Sequence, residues 1–266
     1  DASEATENGE VVREALDGNL AVTLGAVNAD SGNGVAVRGG DGADSLNISS
    51  VGNLGNANAS VEVVGGLGDD TITTETLLST VNANATLSID GGDGNDTLKI
   101  QDIGTGAILS GNISNGDITN VETLDVDFSN TTNNTNVDAT LVGGLETVSV
   151  TENNVDAPNL TIDEGVGLTL TSVSADANFN LTIANTDASN TAEQSLTLGD
   201  ASTDSSTDGT IGSAPNLRVD FVDTLDVSSV GGSNNGNTND FGDIVAGSFV
   251  DNTVSNNSLQ TLNVDA

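Results

Sequence analysis

The chain has 266 residues, 40 Asp and Glu against 4 Lys and Arg, a formal charge of −36, and no His, Cys, Met, Trp or Tyr. Without imidazole or thiol there is no Ser–His pair, no thiol nucleophile and no His-ligated zinc; carboxylate, hydroxyl and amide remain, an oxygen palette suited to hard cations such as Ca²⁺. The charge argues against nucleic acid and anionic membrane surfaces as partners, and no apolar run reaches the roughly 18 residues of a membrane-spanning helix.

Hydrophobic residues at 35% and aromatics at 2% leave a thin core of Val, Leu, Ile and Ala. The same composition suits a disordered chain unless a periodicity excludes it. The acidic start Asp1–Glu10 is not a signal peptide, so the chain reads as a mature or excised segment. Residues 1–12 are expected to be an N-terminal extension. Glu10–Leu16 suits one short turn, and Val11-Val12 equally suits a strand.

Beyond that extension a repeat takes over. Gly39-Gly40-Asp41-Gly42-Ala43-Asp44-Ser45-Leu46 recurs as Gly65-Gly66-Leu67-Gly68-Asp69-Asp70-Thr71-Ile72 and as Gly91-Gly92-Asp93-Gly94-Asn95-Asp96-Thr97-Leu98, starting at residues 39, 65 and 91. The apolar position after it continues as Leu20, Leu46, Ile72, Leu98, Leu124 and Val148, in steps of 26 and finally 24. Val35/Val37, Val61/Val63 and Leu87/Ile89 precede the glycines in the same register, and Val51, Leu77 and Ile103 follow them. Apolar and polar residues alternate in Ser45-Leu46-Asn47-Ile48, Thr97-Leu98-Lys99-Ile100 and Thr123-Leu124-Asp125-Val126, the period of a strand.

Strands spaced alike within each 26-residue unit predict one coil per unit, with like strands stacked about 4.8 Å apart. The fold class is therefore all-β, a parallel β-solenoid whose coils share Val, Leu and Ile ladders that no single coil could bury. About six coils are legible between Arg13 and Val150, so residues 13–150 are expected to form the solenoid domain. A disordered chain has no reason to hold three apolar columns in register.

Residues 151–266 keep short strand-like units at irregular spacing: Leu160-Thr161-Ile162, Leu168-Thr169-Leu170, Leu181-Thr182-Ile183, Leu196-Thr197-Leu198, Leu217-Arg218-Val219, Leu225-Asp226-Val227 and Leu262-Asn263-Val264. They fit either a less regular β-solenoid or an antiparallel β-sandwich. Gly199–Ser213 and Gly231–Asp243 are the longest loop candidates.

The glycine segments carry the candidate chemistry. Gly-Gly-x-Gly-x-Asp predicts a sharp turn that leaves backbone carbonyls to one side, followed by a carboxylate entering the next strand. Two stacked loops then offer about six oxygens at a spacing that Ca²⁺ accepts. The expected ligands are the carboxylates of Asp44, Asp70 and Asp96 and the carbonyls of Gly40, Gly42, Gly66, Gly68, Gly92 and Gly94, with Asp41, Asp69, Asp93 and Asn95 as field or outer contacts. Three loops would make two interlayer sites. Stacked like charges destabilise unless a cation intervenes, so the ion would be needed for folding too.

These three segments resemble the RTX nonapeptide, Gly-Gly-x-Gly-x-Asp-x-apolar-x, and the third copy through Lys99 matches every fixed position. The resemblance implies a calcium-dependent parallel β-roll in a secreted bacterial protein, exported unfolded by a type I system. Ordinary RTX rolls carry two nonapeptides per coil, whereas this chain has one per 26 residues. In its Thr, Gly, Asn and Ala richness, and in segments such as Val121-Glu122-Thr123-Leu124-Asp125-Val126 and Leu145-Glu146-Thr147-Val148-Ser149-Val150, the chain is similar to RTX-type surface-layer proteins of Gram-negative bacteria.

The function expected is structural: a non-enzymatic, secreted, calcium-rigidified protein of a bacterial cell surface that assembles with copies of itself into a layer or filament. Cell-surface polysaccharide is a further expected partner. A stalk or repeat module of a large adhesin or biofilm matrix protein is the alternative. A polysaccharide-acting β-helix enzyme would need a cation or Tyr/His near the sugar, and the chain offers only Arg13, Arg38, Lys99 and Arg218.

Overall fold

A computed structural model describes residues 18–25, 34–51, 54, 59–75, 81–101, 107–109, 112–114, 116–128, 136–153, 159–170, 179–184, 193–198, 217–220, 223–229, 244–246, 248–250, 253–255 and 260–265. The expected extension over residues 1–12, the Glu10–Leu16 turn, Arg13, Leu77, Ile103 and the two long loop candidates lie outside the described residues. The chain forms two compact units, one from Asp1–Ile103, Ala107–Asp125 and Leu141–Leu145, the other from Gly104–Gly106, Val126–Thr140 and Glu146–Ala266. Among the described residues no helix is long and apolar enough to cross a membrane.

The first unit is a parallel β-solenoid. Its strands are β1 (Ala21–Thr23), β2 (Gly34–Arg38), β3 (Ser45–Asn47), β4 (Ser60–Leu67), β5 (Thr71–Thr74), β6 (Thr86–Asp93), β7 (Thr97–Ile100), β8 (Ala107–Ile108), β9 (Ile118–Thr119) and β10 (Thr123–Phe128), which ends in the second unit. One ladder runs β2-β4-β6-β9, with Val35 opposite Val61, Val61 opposite Leu87, Val63 opposite Ile89 and Ile89 opposite Ile118. Another pairs β1 with β3, β3 with β5 and β5 with β7, stacking Leu46 on Ile72 and Ile72 on Leu98. Alternation explains both: every second side chain faces inward, and Leu46, Ile89, Leu98 and Ile100 are fully buried. Each such burial contributes roughly 1.5–3 kcal/mol. Val51, expected in a third column, is buried as well, and Leu54, three residues further on, forms a parallel bridge with Val81.

Two expectations are corrected here. Leu46 stacks on Val22, not Leu20, so the first coil is two residues shorter than the repeat. Leu20 instead donates its N–H to Asp44 Oδ1 at 2.7 Å and accepts from Ser45 N at 2.7 Å, occupying the corner that the aspartates take in later coils. Second, the glycines are not purely a turn. Gly65-Gly66-Leu67 and Gly91-Gly92-Asp93 belong to β4 and β6, with Gly66 opposite Gly92 and Leu67 opposite Asp93. The bend falls on the residues after them. Without side chains, these backbones approach closely enough to keep hydrogen bonding through the corner.

The coil after the third motif lacks the glycines. Leu98 lies nine residues after Ile89, whereas Leu124 lies six after Ile118, so this corner is three residues tighter. Asn120 makes the tighter corner with φ +52°, a left-handed conformation that Asn tolerates better than most residues.

The second unit is solenoid, not sandwich. It contains β11 (Asn136–Asp138), a 3-10 turn at Ala139–Leu141, β12 (Thr147–Asn153), β13 (Asn159–Asp163), β14 (Gly167–Leu170), β15 (Phe179–Ala184), β16 (Glu193–Leu198), β17 (Leu217–Asp220), β18 (Thr224–Ser229), β19 (Ile244–Ala246), β20 (Ser248–Val250), β21 (Thr253–Ser255) and β22 (Thr261–Asp265). Two parallel ladders run β12-β14-β16-β18-β22 and β11-β13-β15-β17-β19. Val148, Leu168, Leu196, Val227 and Val264 form one column at steps of 20, 28, 31 and 37 residues. Variable loops thus hide the period without breaking the register. Among the described residues, only β20 and β21 pair antiparallel.

Candidate functional site

The strongest chemistry in the first unit is a ladder of inward carboxylates at the corner before β3, β5 and β7. Asp44, Asp70 and Asp96 are 2%, 1% and 1% exposed, an uncommon place for three carboxyl groups. The backbone accounts for one oxygen of each. Asp70 Oδ1 accepts the N–H of Asp44 at 2.7 Å, and Asp96 Oδ1 accepts that of Asp70 at 2.8 Å. Corner carbonyls return the link: Thr71 N donates to Asp44 O and Thr97 N to Asp70 O, both at 2.8 Å.

The remaining oxygens divide the three aspartates. Asp44 Oδ2 accepts the N–H of Gly40 at 2.6 Å. Asp70 Oδ2 and Asp96 Oδ2 are buried without a hydrogen-bond partner. Each lies beside the first glycine of its own motif. A Cβ on Gly65 would overlap both Asp70 Oδ2 and the carbonyl oxygen of Gly91; one on Gly91 would lie 2.6 Å from Asp96 Oδ2 and overlap the carbonyl oxygen of Asn120. Each orphaned carboxylate oxygen therefore shares that space with a carbonyl oxygen and has no donor of its own. Two acceptors so placed call for a proton or a cation.

The electrostatics agree. Burial, opposed by the Asp44 N–H and reinforced by the charges of Asp44, Asp96 and Asp69, pushes the Asp70 carboxyl up to about 6. Burial also raises Asp96, with the Asp70 N–H opposing and Glu122, Asp69 and Asp90 adding to the rise.

The glycines stack as the spacing predicts. Cβ atoms on Gly66, Gly68, Gly92 and Gly94 would strike the backbone of Gly40, Gly42, Gly66 and Gly68 respectively, and all four have positive φ. Gly42 lies in the same way against Gly18 and Asn19. The Gly40 carbonyl, one of the expected ligands, accepts the N–H of Leu67 at 2.8 Å. Asp41, Asp69, Asp93 and Asn95 are exposed, and Asp69 Oδ1 accepts the N–H of Asn95 at 2.9 Å, tying two loops together on the outside. Arg38 pairs with Glu62 and Lys99 with Asp125, the latter at 2.8 Å, each reaching across to another coil.

Among the described residues no group of three or more acidic side chains gathers as a ready-made metal cage. A cation here would draw most of its ligands from backbone oxygens. The orphaned Oδ2 atoms, the carbonyls beside them and the wholly oxygen donor set fit a hard cation.

Sequence reasoning missed four participants. Gly65 and Gly91 matter for the space and the carbonyl at the first glycine, not the second. Asn120 supplies the carbonyl where no glycine motif exists. Glu122 continues the ladder, its Oε2 accepting the N–H of Asp96 at 2.7 Å. The signal for Glu122 was present, because Glu122-Thr123-Leu124 stands 26 residues after Asp96-Thr97-Leu98.

Among the described residues of the second unit, Gln194, 1% exposed, donates from Nε2 to Val166 O at 2.6 Å, and one carboxylate oxygen, Asp223 Oδ1, is buried without a partner. Comparison of the chain with known protein families, with curated proteins and with solved structures finds no match. What is established is a parallel β-solenoid with a buried carboxylate ladder on one corner.

Proposed function

We propose that this chain is a calcium-dependent structural protein of a bacterial cell surface, secreted and assembling with copies of itself into a layer or filament. The observation that carries the reading is the pair of orphaned, buried oxygens, Asp70 Oδ2 and Asp96 Oδ2, each opposed by a backbone carbonyl. Asp70, Asp96 and the neighbouring carbonyls would hold the ion, which supplies the positive charge that two buried carboxylates otherwise lack.

Three further features support it. The three glycine segments resemble RTX motifs in sequence. A net charge of −36 would repel a second copy unless divalent ions lay between the surfaces. The long parallel ladder suits a load-bearing element.

Calcium titrated into chelated protein, followed by far-UV circular dichroism and light scattering, tests this. A calcium-driven gain of β signal with growing particles is expected. Folding without growth would replace assembly by the spacer role of an adhesin stalk. A folded protein indifferent to calcium would overturn the reading.

A further inference from the structure

The repeat places both expected cation sites between glycine motifs, at Asp44/Asp70 and Asp70/Asp96. The hydrogen bonding points elsewhere. The Asp44 carboxylate is satisfied on both oxygens, by Leu20 N and Gly40 N. The orphaned oxygens belong to Asp70 and Asp96, and the carbonyl that shares the space of a Gly91 Cβ with Asp96 Oδ2 comes from Asn120, in the coil that has no glycine motif.

We propose that Asp96, the Asn120 carbonyl and Glu122 form a divalent-cation site of their own, one coil beyond the last glycine motif. The inference rests on the calcium reading above and deepens it. Three observations meet there. Asp96 is 1% exposed and its Oδ2 has no partner. The Asn120 carbonyl oxygen and Asp96 Oδ2 converge on the space that a Cβ of Gly91 would fill. Glu122 brings a second carboxylate to the Asp96 backbone, its longer side chain spanning a corner that has no glycines.

Asn120 is what makes a motif-free coil serviceable. Its φ of +52° makes a left-handed turn at the corner, and its Nδ2 donates to Asp90 Oδ1 at 2.7 Å, fixing it. A hard divalent ion takes carboxylate and carbonyl oxygens together, and tolerates irregular numbers of them when it is calcium.

The test is calorimetric titration of calcium alone into the chelated full chain, with circular dichroism as a check on folding. Glu122→Gln keeps an oxygen for the Asp96 N–H while removing the charge. It should lose one calcium step or weaken it by about tenfold or more, leaving another step in place. Asp96→Asn should lose the same step and melt higher than wild type in chelator. A Glu122→Gln isotherm equal to wild type, while Asp70→Asn loses a step, overturns this site and leaves the calcium reading standing. If Glu122→Gln does not fold, a wild-type isotherm for Asp96→Asn overturns it. No calcium binding by the wild-type chain overturns both.

Discussion

Gly65 has no side chain because the carboxylate of Asp70 occupies its place: a Cβ on Gly65 would overlap Asp70 Oδ2. The first glycine and the final aspartate of the motif are thus a single packing unit, five residues apart. The carbonyl of Gly91 closes the same space from the next coil.

Gly65→Ala should therefore be costly. The carboxylate cannot move without disturbing its bond from the Asp44 N–H, and the carbonyl belongs to backbone held in the β4–β6 pairing, so a loss of about 1–3 kcal/mol is expected. Gly25→Ala, where nothing lies within 4 Å, should change stability by less than about 0.5 kcal/mol. Urea unfolding of both variants in chelator reads the difference.

Acid should stabilise the chelated protein. Folded Asp70 holds its proton up to about pH 6, and unfolded Asp70 releases it near 3.8. Between these values the folded chain binds more protons, so this contribution is fully present below about pH 4 and is lost as pH rises through 6. Relief of the −36 charge acts in the same direction. Thermal melts should show a midpoint about 5 °C higher near pH 5 than near pH 7.5, and saturating calcium should flatten that slope.

Asp70→Asn and Asp70→Ala should have opposite effects in chelator. The amide keeps an oxygen for the Asp44 N–H and offers Nδ2 to the Gly91 carbonyl, so a gain of about 1–2 kcal/mol is expected at neutral pH. Alanine leaves the buried Asp44 N–H without a partner and should cost about 1–3 kcal/mol. With calcium at roughly a hundredfold over its Kd, the wild type should gain about 2.7 kcal/mol per site, and Asp70→Asn should lack one such increment. Melting curves with and without calcium measure all three.

Leu98→Ala, in the fully buried column with Ile72, should cost about 2–5 kcal/mol through lost burial and the cavity left behind. Val264→Ala, at a side chain 64% exposed, should be close to neutral. Denaturant midpoints of the two variants check the contrast.

The parallel solenoid is determined by the sequence because a column such as Leu46-Ile72-Leu98 repeats at fixed spacing, and alternation leaves each of those residues only one face to occupy. The aspartates at the sixth position are legible for the same reason. Two-residue shifts are not. Leu20 and Val22 lie on the same face of a strand, so the pattern admits either beneath Leu46, and the pairing of β1 with β3 selects Val22. Solenoid and sandwich likewise share one alternating pattern in the second unit, where loops of unequal length erase the period; hydrogen-bond direction between strands decides for the solenoid. The particular oxygens of Asp70 and Asp96 left without donors also depend on the stack, since the groups that meet them, Gly91 and Asn120 carbonyls, arrive from the following coil. Period and polarity are properties of one strand, whereas register and hydrogen-bond satisfaction are properties of its neighbours.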